Sequence, residues 1–208
     1  MSSSISLPRA YIETNFVLEL AYGQAEQASC HEVLDACDAG ELELCIPAFS
    51  FAEPFYAFIG REKGRKRVAD DLTAQMRELR RGPLPSDIED AMVEVSSFLA
   101  VSLDQERKGL RDAVEAIASR ATLLPLSREV FSAAAELEDE HGLTPADAIV
   151  LASVLSHLRV SPTATSVFLN RNKKDFEDPD IDALLRALNC KLMATFGGGL
   201  AYLRAASK

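Results

Sequence analysis

No stretch of this chain approaches the roughly 20 uninterrupted apolar residues of a membrane span. Its opening residues, MSSSISLPRAY, lack the charged start and apolar core of a secretory signal. No membrane association is expected, and the cytoplasm is the expected address. Cysteine is scarce: Cys30, Cys37, Cys45 and Cys190 show neither CxxC spacing nor the density of a disulfide scaffold. They read as reduced core residues. The three histidines, His31, His141 and His157, share no motif, so a zinc site has little support. No repeat or low-complexity block is present. Basic residues are outnumbered 22 to 32, for a net charge of −10, which argues against uniform coating of nucleic acid.

What is abundant is apolar residues, 48% of the 208. That is enough for one substantial core, or a domain with an embellishment, without covalent staples. The charge is uneven. Residues 61–81 hold eight basic residues against four acidic ones, a local +4, so the remainder carries −14. A basic stripe containing Arg61, Lys63, Arg65, Lys66 and Arg67 could guide a phosphate backbone, while an ordinary solvated helix face explains the same pattern.

Periodicity and turn residues give the element order. Ala10–Ile12 reads as a strand ending at Glu13, with Asn15 suited to cap the helix that starts with FVLELAY. A helix over about 25–39 stops at Gly40, and Leu42–Ile46 reads as a strand. Ser50-x-x-Glu53 has the form of a capping box. Gly82, Pro83 and Pro85 interrupt the basic helix, and Ser86-x-x-Glu89 opens a longer one, with a kink expected near Ser102. Residues 61–119 carry no strand signal and read as an inserted helical hairpin. Thr122–Leu124 is a brief strand, Ser127 caps a helix ending at Gly142, and Thr144-Pro145 starts another. Ser166–Leu169 is a strand, Ile181–Leu188 a helix and Cys190–Ala194 a last strand. Gly197–Gly199 reads as a turn before a closing helix. The alternation predicts an α/β protein with a mainly parallel central sheet between helical layers, an α/β/α sandwich with an inserted helical region.

Glu13, Glu53, Asp147 and the segment VFLNRNKKDF at 167–176 each follow a predicted strand. In a parallel sheet their carboxyl ends share one edge, where open α/β folds place their sites. Carboxylates gathered there repel by about 4 kcal/mol per pair at roughly 4 Å in a protein-like dielectric, a cost that a shared divalent cation removes. Glu53 and Asp147 also stand third after a Ser or Thr, so each has a plain reading as a capping residue.

These segments resemble the motifs of the PIN-domain nucleases. Glu13-Thr14-Asn15 is similar to the family's D-T-N strand end, Ser50-Phe51-Ala52-Glu53 to its second acidic position, and Pro145-Ala146-Asp147-Ala148-Ile149-Val150-Leu151-Ala152 to its D-A-x-I-A-x-A helix. The segment from Asn170 to Phe176 is similar to T-R-N-x-x-D-F. The likeness covers roughly 8–58 and 120–195. It implies a PIN-like fold and a metal-dependent endoribonuclease, with Mg²⁺ or Mn²⁺ held by Glu13, Glu53 and Asp147 and assisted by Asn172, the four catalytic positions. Glu13 replaces the usual Asp, and its extra methylene moves the carboxylate by about 1.5 Å. Asn15 is a helix cap or orients Glu13, Asn170 replaces the usual Thr, and Asp175 caps a helix or adds charge beyond the metal ligands. The resemblance further implies RNA as substrate and a toxin-like component silenced by an antitoxin. It leaves open another regulatory partner, a homodimer, and a stand-alone RNA-processing or defence role. A degenerate PIN-like module that binds RNA or protein without cleaving it, and an α/β domain of unrelated chemistry, are the alternatives.

Overall fold

The computed structural model describes residues 7–83, 85–171, 176 and 178–206. Five parallel strands form one sheet in the order β3-β2-β1-β4-β5: β1 (Arg9–Ile12), β2 (Glu43–Pro47), β3 (Thr122–Leu124), β4 (Ser166–Leu169) and β5 (Cys190–Met193). Between them run α1 (Thr14–Tyr22), α2 (Gln27–Asp38), α3 (Phe49–Leu79), α4 (Ser86–Ala118), α5 (Arg128–His141), α6 (Pro145–Val160) and α7 (Pro179–Arg186), and α8 (Phe196–Ala206) closes the described chain. The α/β alternation and the parallel sheet expected from sequence are present.

Strand periodicity divides the core into two layers. Ala10, Ile12, Leu44, Ile46, Val167 and Leu169 project to one side, where they join Phe16, Val17, Val33, Leu110, Ile117 and Phe196. Tyr11, Cys45, Leu124 and Phe168 project to the other and meet α5, α6 and α7 through Val130, Leu151, Leu155 and Ile181. At the amino edge of the sheet the buried Arg9 guanidinium is satisfied by Glu43, Tyr11 and Ser161, and the Tyr11 hydroxyl lies 2.9 Å from His157 Nδ1. All four cysteines are free thiols, three of them buried. No single helix among the described residues is long and apolar enough to cross a membrane.

The helical insertion is longer than its sequence signal. The basic stretch is not a separate helix but the middle of the 31-residue α3, which starts at Phe49, and the 33-residue α4 runs back beside it. At 1.5 Å per residue each spans about 46–50 Å. The ends of the pair are joined by an Arg80–Glu89 ion pair across the turn. The kink expected at Ser102 does not interrupt the helix, and the Ser102 hydroxyl donates to Leu99 O at 3.0 Å. Neither predicted capping box forms at its helix start. Ala48 precedes α3, its N–H bound to Leu124 O, so Ser50 is already inside the helix. Pro85 likewise precedes α4 and leaves Ser86 in the first turn. Gly197–Gly199 lie inside α8 rather than in a turn, because the Glu26 carboxylate accepts from the Phe196 N–H and starts the helix there.

The hairpin docks through a close approach at Gly109, where an added Cβ would stand 2.2 Å from the carbonyl oxygen of Ala21 in α1. Backbone cannot yield as a flexible side chain would. Gly109→Ala is therefore expected to lower stability by about 1–3 kcal/mol, the usual cost of overpacking. Urea unfolding checks this: the midpoint should fall, whereas Gly64→Ala, with open space around it, should hold or raise it.

Candidate acidic site

The strand order reverses between β1 and β4, and such a switch point opens a crevice at the carboxyl edge of a parallel sheet. Glu13 is the residue directly after β1 and Asn170 the residue directly after β4; both are buried. Glu13, and not Asn15, caps α1, because its Oε2 accepts the Asn15 backbone N–H at 2.9 Å. Asn15 sits inside the first turn. Its backbone and side chain both favour the Glu13 carboxylate over the acid.

The other oxygen of Glu13 is the unusual atom. Oε1 is buried and has no hydrogen-bond partner among the described residues. Burial pushes the Glu13 pKa up to about 8 against the opposing pull of Asn15, and the carboxylates of Glu53 and Asp147 add to the rise. Glu53 and Asp147, 40 and 134 positions further along the chain, thus lie within electrostatic reach of Glu13.

Of the two capping readings, Asp147 keeps its own and Glu53 does not. Glu53, fifth in α3, does not bond back to Ser50; its Oε2 accepts a short hydrogen bond from the Thr14 hydroxyl, which ties α3 to the end of β1. Asp147 does form the reciprocal cap: its N–H reaches Thr144 Oγ1 at 3.2 Å, and that hydroxyl donates to Asp147 Oδ2 at 2.6 Å. Ser50 Oγ is left buried and without a partner among the described residues. Asn172 and Asp175 lie outside the described residues.

Two residues with no sequence signal shape the same edge. Glu19, in the middle of the apolar V-L-E-L run, is 2% exposed. It accepts from the Arg171 guanidinium and, at 2.8 Å, from the Glu26 N–H. Glu26 in turn holds the start of α8 at Phe196. The chain leaving β4 is thereby anchored to α1. Glu19 looks like a solvated helix residue until Arg171, 152 positions on, is placed beside it.

Of the five basic residues of the stripe, two are engaged inside the hairpin. Arg61 lies over the Tyr22 ring at 4.5 Å and pairs with Glu106 at 3.8 Å, and Arg65 bonds Ser102 and Glu106. Lys63, Lys66 and Arg67 are exposed.

The donor chemistry of the acidic edge suits a hard divalent cation such as Mg²⁺ or Mn²⁺: carboxylate oxygens, one of them buried without a counterpart. As placed, no three Asp, Glu, His or Cys side chains among the described residues are grouped to hold a metal ion. No protein-family model, curated protein sequence or solved structure compared with the chain matches it.

The Glu13 shift has a measurable consequence for stability. A carboxyl group with a raised folded-state pKa keeps a proton that the unfolded chain releases, so its contribution is full below about 4.5 and declines as pH rises toward about 8. The loss reaches at most about 1.4 kcal/mol per pH unit in that window. Metal-free protein should therefore lose melting temperature from pH 5 to 8, and Glu13→Gln should flatten the profile. Parallel profiles for the two proteins would refute it.

Proposed function

We propose that the chain is a metal-dependent endoribonuclease of the PIN type. The observation that carries this reading is the buried Oε1 of Glu13, which has no partner among the described residues and feels the charge of Glu53 and Asp147 at the switch point of a parallel sheet. An ionised carboxylate placed there needs a counter-charge, and Mg²⁺ or Mn²⁺ would supply it. Glu13, Glu53 and Asp147 would hold the ion, with Asn172 at the fourth position. Such an ion polarises a phosphodiester and lowers the pKa of bound water. The residues of the chain do the rest. Asn15 and Thr14 orient the Glu13 and Glu53 carboxylates, Thr144 orients Asp147, and the Arg171–Glu19 pair holds the end of β4 against α1. RNA is the proposed substrate, and control by an antitoxin-like protein is the proposed regulation.

Labelled RNA and Mn²⁺ test the reading. Asp147→Asn keeps an oxygen for the Thr144 hydroxyl but removes the charge. Cleavage should fall at least about 100-fold, the upper end of what loss of even an outlying partner of a metal site causes. Wild-type protein at 100 times the Mn²⁺ dissociation constant should gain about 2.7 kcal/mol of stability, most of it lost in the variant. The exposed cations give a second test: Lys63→Glu, Lys66→Glu and Arg67→Glu together should weaken RNA binding across sequences. Each lost phosphate contact removes about 0.7–0.9 from the log–log salt slope, with the Mn²⁺ response unchanged. An unchanged slope makes these residues an ordinary solvated face.

One observation favours the alternative, a degenerate module that binds RNA or protein without cleaving. No three ligands are grouped for a metal among the described residues, and with a pKa near 8 Glu13 is largely protonated at neutral pH. Failure of Mn²⁺ to stabilise the protein at pH 8.5, where Glu13 is ionised, decides for that module.

A further inference from the structure

Past Glu53, α3 presents a row of exposed residues that neither the core nor α4 uses. Tyr56, Gly60, Lys63 and Arg67 stand at i, i+4, i+7 and i+11, the spacing of one helix face. All four are exposed, and Tyr56, at 72%, is the most exposed aromatic side chain among the described residues. At about 100° per residue the four positions fall within about 80° of the azimuth of Glu53, so the row begins at the acidic edge. The other side of the helix is occupied: Pro54 and Phe58 are buried, and Arg61, Glu62 and Arg65 meet α4 through Glu106 and Arg107. A Cβ added at Gly60 would meet nothing within 4 Å. About 10 Å of the row, between Tyr56 and Lys63, therefore carries no side chain.

The chemistry of the row identifies its ligand. Arg61 and Arg65 are paired with Glu106, whereas Lys63 and Arg67 form no ion pair among the described residues. Two such cations on one face suit phosphate oxygens, and an exposed ring beside them suits a base. Only a base outside a duplex offers its face to a ring, which makes the ligand single-stranded. Asp70 and Asp71 close the outer end of the row. The stretch favourable to a phosphate chain thus runs from Arg67 inward to Glu53, about 21 Å along the helix. A protein occupant is disfavoured, because interface cores are depleted of charge and two of the four positions are cations.

We propose that Tyr56 is a base-stacking platform for single-stranded RNA, with Lys63 and Arg67 on its phosphates, and that the row leads the strand to the acidic edge; this rests on RNA being the ligand of that edge. The chain contains no tryptophan, so Tyr56→Trp places a single emitter on the row. In metal-free buffer, where the strand stays intact, an unstructured RNA oligonucleotide should quench that emission, and the same strand annealed to its complement should not. Tyr56→Ala should weaken single-strand binding roughly 5- to 150-fold, the range for loss of one stacked base, and Tyr56→Phe should bind as wild type does. The side chain is exposed, so circular dichroism should be the same in all three variants. Absent quenching, or equal quenching by the duplex, overturns the proposal. Unchanged RNA affinity in Tyr56→Ala also overturns it and assigns the ring to a protein contact. Mn²⁺-dependent cleavage that persists alongside those results leaves the nuclease reading standing. Quenching by the single strand without any cleavage keeps the platform and rejects the nuclease.

Discussion

All five strands run in the same direction, and most other features follow from that constraint. Parallel neighbours cannot be joined by a tight turn, so each connection must cross the sheet through helices, which cover both faces and bury the strands. Residues leaving β1, β2 and β4 then enter the same edge. With β1 central and flanked by β2 and β4, the residue after β1 occupies an enclosed position on that edge. Glu13 is that residue.

An acid in that position meets competing demands. One oxygen is well used, accepting the amide that begins α1, while the other is enclosed without a donor among the described residues. Desolvation outweighs the hydrogen bonds and holds the proton on the group into the mildly alkaline range. Around it, hydroxyls hold the neighbouring acids. Thr14 takes Glu53 and Thr144 takes Asp147, so a hydroxyl orients each of these acids. At the same edge Arg171 compensates Glu19. The metal proposal rests on the buried Glu13 Oε1, which meets no hydrogen-bond partner among the described residues.

The hairpin obeys a different logic. Its inner end belongs to the core: Phe58, Leu110, Ala113 and Ile117 are buried, and Gly109 admits the backbone of α1. Ion pairs such as Arg65–Glu106, Arg107–Glu62 and Arg80–Glu89 also link α3 to α4, and Met76 is buried in the outer part. Partly exposed pairs of this kind contribute about 0–1 kcal/mol each.

The sequence by itself determined the elements whose causes are local. Ser166–Leu169 and Thr122–Leu124 match their strands to the residue, because short runs bounded by turn residues leave little choice of period. Ser127, Gly142 and Thr144 act at helix ends as their chemistry requires: a hydroxyl takes an orphan N–H, and glycine takes the left-handed conformation at φ 64°. The place of Glu13 at the carboxyl edge, directly after β1, was legible through the expectation of a parallel sheet. What tertiary structure decided was which partner each polar group chose. Ser50 and Glu53 carry the spacing of a capping box, yet β3 takes the Ala48 N–H and shifts the helix start, freeing Glu53 to meet Thr14. Asn15 has the side chain of a cap, yet the chain turns into α1 two residues earlier and Glu13 caps instead. The burial of Glu19 depends on Arg171, and the start of α8 depends on Glu26. Hydrogen bonds between residues more than a hundred positions apart leave no periodic trace in the chain, and only the folded backbone brings donor and acceptor within reach.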